Sequence, residues 1–207
     1  MLDKETILIG YSGHGLVVAE AANLLGANII GFTDLKEVLQ NPFNLNYLGF
    51  EMDLQFEYWG ENKNFILGIG DNALRRKIGE YILHKKEVLV NTVHPSASVT
   101  KMLKMGVGNF IARNACINPL VEIGCFCIIN TGSVIEHECS IKDAVHIGPG
   151  SVLAGGVEVG DNTFIGANSV VKQGVKIGKN VIIGAGSVII RNIDDNSKVV
   201  GNPGRLI

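Results

Sequence analysis

An imidazole and a carboxylate stand next to each other at His137 and Glu138, within Ile135-Glu136-His137-Glu138-Cys139, and a further histidine follows at His146. A carboxylate partner orients an imidazole and favours its protonated form. Such a pair can take a proton from an amine or hydroxyl as that group attacks an electrophile, which is the work of a general base. Glu136 is the rival carboxylate. A second chemical stretch is Gly10-Tyr11-Ser12-Gly13-His14-Gly15, directly after the aliphatic run Thr6-Ile7-Leu8-Ile9. The amides of a glycine-rich turn opening a helix suit a phosphate. The spacing is Gly-x-x-Gly-x-Gly rather than Gly-x-Gly-x-x-Gly, so the turn alone does not name a ligand.

The histidines lie in a repeat that must position them. From Ile123 to Ile189 every sixth residue is aliphatic, and a small residue follows four places after each, from Cys127 to Ser187. A six-residue beat with glycine at its turns is the signature of a parallel β-helix, three hexads to a triangular coil. Ile123, Ile141, Val159 and Ile177 are then expected in one column, and His137 and His146 fall at outward positions. The beat continues loosely upstream through Val99, Met105, Ile111 and Ile117, which suggests a ragged first coil and a reset of register near Pro119. Cys127 and Cys139 take the small inward place. Cys125-Phe126-Cys127 lacks metal-clip spacing and has no second pair, so free thiols and no metal are expected.

Ahead of the prism, strands at 6–9, 29–32, 64–68 and 87–90 alternate with helices at 16–25 and 73–85, an open parallel α/β unit. Ligands of such sheets bind beyond the C-terminal strand ends, where Gly10 to His14, Asp34 and Gly70 to Asn72 fall. Asp71 or Asn72 is the expected cap of the second helix. The basic run Arg75-Arg76-Lys77 reads as a solvated face, 35–61 as a loop with one weak strand, and His94 as a boundary residue without chemistry. The expected division is residues 1–92 for the α/β unit and 93–207 for the β-helix.

Composition narrows the function. The chain has 207 residues and a net charge of −2, which argues against nucleic acid or an anionic membrane as partner. No apolar run approaches the ~20 residues of a membrane span, and Met1-Leu2-Asp3-Lys4-Glu5 shows no leader, so a cytoplasmic protein is expected.

Asn130 to Cys139, Gly10 to Gly15 and the ending Val200-Gly201-Asn202-Pro203-Gly204-Arg205 resemble the PglD/NeuD-type sugar O- and N-acetyltransferases of the hexapeptide-repeat family. The resemblance runs through nearly the whole chain in order. It implies a Rossmann-like half domain followed by a left-handed β-helix. It further implies acetyl-CoA as co-substrate, a nucleotide-sugar as acceptor and a homotrimer with the site between subunits. His137 would be the base and Glu138 would tune it. His146, Ala167 and Ala185 would contact acetyl-CoA. Ser12, Gly13, His14, Asp34, Leu35 and Gly70 would hold the nucleotide-sugar. The nearest likeness is to N-acetyltransferases of UDP-linked 4-amino-4,6-dideoxy sugars, with GDP-perosamine N-acetyltransferases almost as similar. Leu35 stands where such relatives carry a second acid, and Gly204 replaces alanine. No cysteine lies beside His137 as a nucleophile, so direct transfer is expected rather than an acyl-enzyme.

Other classes fit less well. A nicotinamide oxidoreductase would leave the β-helix without a task. A metal enzyme of β-helix type needs three histidines, and only His137 and His146 lie on the strict prism. A non-catalytic scaffold and O-acetylation of sialic acid remain as alternatives.

Overall fold

The computed structural model describes residues 4–60 and 62–207. The leader reading of Met1 to Asp3 and the end of the 35–61 loop at Glu61 therefore lie outside the described residues. The first unit runs β1 (Glu5–Ile9), α1 (Gly13–Leu24), β2 (Asn28–Thr33), β3 (Asn46–Tyr47), β4 (Lys63–Leu67), α2 (Asn72–His84) and β5 (Val88–Leu89). All five strands are parallel, in the order β3-β2-β1-β4-β5. The order reverses at β1, so a crevice opens above its C-terminal end, between β2 and β4. Gly10 takes φ +83° there, and a Cβ on Gly15 would collide with its carbonyl oxygen. Asp71 caps α2, its Oδ1 accepting the Leu74 N–H at 2.8 Å.

The second unit is a prism of seventeen two-residue strands, β6 (Thr92–Val93) to β22 (Val188–Ile189), one every six residues. Strands β6 to β19 each pair in parallel with the strand eighteen residues on, so Ile123, Ile141, Val159 and Ile177 form one column. The twelve aliphatic residues of the strict beat and their small companions are buried along the axis. The upstream expectation needs correcting. Cys116 pairs with Ser98 and Val134, and Glu122 with Lys104 and Ser140, so the register passes Pro119 without a reset. Gly108 sits at a turn of the same beat with φ +68°. The spacing changes at the other end, where Ile182 pairs with Lys198, sixteen residues on.

The three faces differ in what they turn outward. On the first, Phe110 and Ile128 pack into one cluster with Leu8, Val18, Ala22 and Phe32, so α1 lies between its own sheet and the prism. The second presents Ser98, Cys116, Val134, Val152, Val170 and Val188, partly or fully exposed and without charge. The third carries ion pairs of Lys104 with Glu122 and of Lys176 with Glu158, each 2.8 Å and solvent-facing.

Arg75 departs from the expected solvated run. It is 1% exposed, and its guanidinium spans the two units. Nε donates to the Phe126 carbonyl (2.7 Å) and Nη2 to that of Ala144 (3.2 Å), both on the prism. Nη1 donates to the carbonyls of Ile69 (3.2 Å) and Gly70 (2.9 Å), and Nη2 also to Asn72 Oδ1 (2.8 Å). Burial lowers its pKa to about 10, which leaves it charged near neutrality.

Candidate active site

His137 and Glu138 form the corner between the second and third faces, after β13 (Val134–Ile135) and before β14 (Ser140–Ile141). The corner is fixed by its backbone: the Glu138 N–H donates to the Pro119 carbonyl at 3.1 Å, and the His137 carbonyl accepts the Gly156 N–H at 2.8 Å. Glu138 has φ +62°, a left-handed conformation that non-glycine residues adopt at a cost. Its Oε2 lies 2.9 Å from His137 Nδ1. That contact leaves Nε2 free to take a proton when Nδ1 carries the hydrogen. Glu136, the rival carboxylate, makes no such contact with the ring. One coil on, Gly155 makes room for the imidazole, since a Cβ there would lie 2.6 Å from His137 Cε1. Both side chains are more than half exposed on the single chain.

His146 projects from the first face, where it is half-buried beneath the α/β unit. It stacks edge-on with Phe164, its Nε2 lies 3.0 Å from Asn130 Nδ2, and its ring is 6.3 Å from that of His14. His14 faces the prism too, edge-on to Phe110. Burial, then the charge of Arg75, pulls the His14 pKa down to about 4; the same causes with His14 added pull His146 to about 3. Both rings are neutral near pH 7, and His14 Nε2 and His146 Nδ1 are buried without a hydrogen-bond partner. Ala167 and Ala185 are stacked at the corner between the first and second faces, the Gly186 N–H donating to the Ala167 carbonyl. On one chain they stand across the second face from His137.

A cavity of about 330 Å³ occupies the crevice above β1, and it gathers Ser12, Asp34, Leu35 and Gly70. Ser12 opens α1 without a side-chain cap bond, and no acidic residue sits in the first turn of that helix. Gly13 lies in that turn, whereas His14 points away to the prism and does not line the cavity. Asp34 braces the loop, accepting the N–H groups of Tyr11 (3.0 Å) and Leu35 (2.8 Å). The lining also includes Phe50, Glu51, Met52 and Lys77, none of which sequence reasoning picked out. Phe50, Glu51 and Met52 lie in the 35–61 loop, which carries no period that could have singled them out, and Lys77 belongs to the run read as a solvated face. A groove lined by Gly70, Asn72, Asn162 and Phe164 adjoins the cavity where the two units meet. No group of three or more metal-ligating side chains is found among the described residues, and no helix among them is long and apolar enough to cross a membrane.

Residues 5–82 match the PglD N-terminal domain, and 138–173 and 156–191 match the bacterial transferase hexapeptide of six repeats. A perosamine N-acetyltransferase from Caulobacter crescentus, in complex with CoA and GDP-perosamine, is 32% identical; the match covers 99% of this chain and 97% of that one, with TM-score 0.91. The chain belongs to the PglD-type sugar acetyltransferases of the hexapeptide-repeat family. The acetyltransferase domain of PglB from Neisseria gonorrhoeae FA1090, in complex with acetyl coenzyme A, is 30% identical with TM-score 0.93, over 99% of both chains. A UDP-N-acetylbacillosamine N-acetyltransferase from Bacillus subtilis (strain 168) is 33% identical over 120 residues, which are 52% of this chain. The match spans about half (51%) of that relative's length. In this sugar acetyltransferase the His137–Glu138 pair and the cavity above β1 lie on different edges of one chain.

Proposed function

We propose that the protein transfers the acetyl group of acetyl-CoA to the amino group of a nucleotide-linked 4-amino-4,6-dideoxy sugar. The observation that carries this reading is the His137 Nδ1 to Glu138 Oε2 contact, on a corner where Gly155 makes room for the ring. In the reaction His137 Nε2 takes a proton from the sugar amine as the nitrogen bonds to the thioester carbon. The carbon–sulfur bond breaks, and the thiolate leaves as CoA with that proton. Glu138 holds the ring in the tautomer that leaves Nε2 open. Cys139 is buried and its thiol pKa is raised by that burial, which favours direct transfer over an acyl-enzyme. Free thiols at all four cysteines fit a reducing compartment, the cytoplasm.

The working unit in this reading is a homotrimer packed through the second faces. The uncharged row from Ser98 to Val188 suits such an interface, and cyclic packing of triangular prisms sets the two edges of that face against each other. The His137 corner of one copy would then meet the Ala167–Ala185 corner of the next, close to its His146 and its α/β unit. Acetyl-CoA would lie along that seam. Light scattering should give three times the protomer mass, and full activity from a monomer would overturn this assembly.

The resemblance points to UDP as the carrier; the complexes of the Caulobacter crescentus relative with GDP-perosamine favour GDP as a second reading. CoA release should be assayed with UDP- and GDP-linked 4-amino-4,6-dideoxy sugars and with free sialic acid. Turnover is expected only with a nucleotide-linked amino sugar. Turnover of sialic acid instead, or of none of them, would refute the proposal.

A further inference from the structure

Glu51 is a carboxylate sealed into the wall of the cavity above β1, 3% exposed, with no cation paired to it among the described residues. Its place is built into the fold: the Leu48 N–H donates to the Phe32 carbonyl at 2.9 Å, and the Asp34 N–H to the Gly49 carbonyl at 3.2 Å. These bonds tie the segment before Glu51 to the end of β2. The Thr33 hydroxyl and the backbone N–H of Glu51 itself are the protein donors beside it, while the carboxylates of Asp34 and Asp53 only add negative charge. Burial holds the Glu51 carboxyl above its ordinary range. A buried carboxylate of this kind is stabilised as an anion by N–H donors beyond these two, which a ligand filling the cavity can supply.

Resting on the nucleotide-sugar reading, we infer that Glu51 selects guanine as the base of the carrier nucleotide. Guanine presents two donors side by side, the ring N1–H and the exocyclic 2-amino group, which match the two oxygens of one carboxylate. Uracil presents a single N–H between two carbonyl oxygens, so a carboxylate meeting that edge faces a repelling acceptor. The apolar lining by Leu35, Phe50 and Met52 suits the face of a flat base, and Lys77 is a cation on the same wall. The open first turn of α1 at Ser12 offers amides to the diphosphate. The specificity gained from the carboxylate is large because the group is left without its donors when the wrong base binds.

Calorimetric titration of the full-length protein with GDP, inosine diphosphate and UDP tests this. GDP is expected to bind about 10–100-fold more tightly than UDP, the range of one or two hydrogen bonds to a charged group. Inosine diphosphate, which keeps the N1–H but lacks the 2-amino group, should fall between them on the unmodified protein. Glu51→Gln should weaken GDP by a similar factor and leave UDP within about threefold. UDP binding as tightly as GDP, or inosine diphosphate matching GDP, overturns the guanine assignment and leaves the nucleotide pocket standing. Binding of none of the three overturns both.

Discussion

Replacing His137 with alanine is expected to lower kcat for acetyl transfer by about 10²–10⁴-fold, the usual contribution of a general base. The KM for acetyl-CoA should change little, because the imidazole is assigned to the proton and not to the thioester's carrier. Glu138→Ala should cost less than His137→Ala. The ring survives that change, and only the 2.9 Å contact that orients Nδ1 is lost. His146→Ala should appear mainly as a raised KM for acetyl-CoA. Steady-state kinetics with both substrates varied separates these outcomes. More than a tenth of the original kcat in His137→Ala, or loss of kcat at saturation in His146→Ala, would show that the base is misassigned.

The second large effect concerns stability. Arg75→Met should destabilise the protein by about 3–5 kcal/mol, because the side chain is buried and the carbonyls it serves lose their donor. For a chain of this length that is a fall in Tm on the order of 10 °C. The strain should concentrate where the α/β unit meets the prism, since two of the five bonds cross that junction. The junction should also weaken in acid. His14 and His146 have their pKa values lowered to about 4 and about 3, so the unfolded chain binds protons from about pH 6.5 downward that the folded chain does not. Stability then falls with pH across the window from about 6.5 to about 3. Thermal melts of both proteins over that range measure the two effects. A Tm for Arg75→Met within 2 °C of the parent would refute the role given to Arg75.

The prism was legible in the sequence because its determinants are local and periodic. An inward place every six residues accepts only an aliphatic side chain, so Ile123 to Ile189 announce the axis, and the left-handed corner turns follow the same beat. For the same reason His137 could be placed on the outside and paired with its sequence neighbour Glu138. Strand β1, its glycine turn and α1 were legible for a similar cause, since each is set by a few adjacent residues. What only the tertiary structure decided is how the α/β unit sits on the prism. Docking covers the first face, so His146, outward by its place in the hexad, ends half-buried against His14. It also separates Arg75 from Arg76 and Lys77, three neighbours of one charge type. Arg75 alone meets the free carbonyls of Phe126 and Ala144, fifty-one and sixty-nine residues away. Glu51 is of the same kind, a carboxylate in an unpatterned loop that becomes a cavity wall once that segment is stitched to the end of β2. Contacts between distant segments carry no period, and the free groups that create them appear only when both partners are folded.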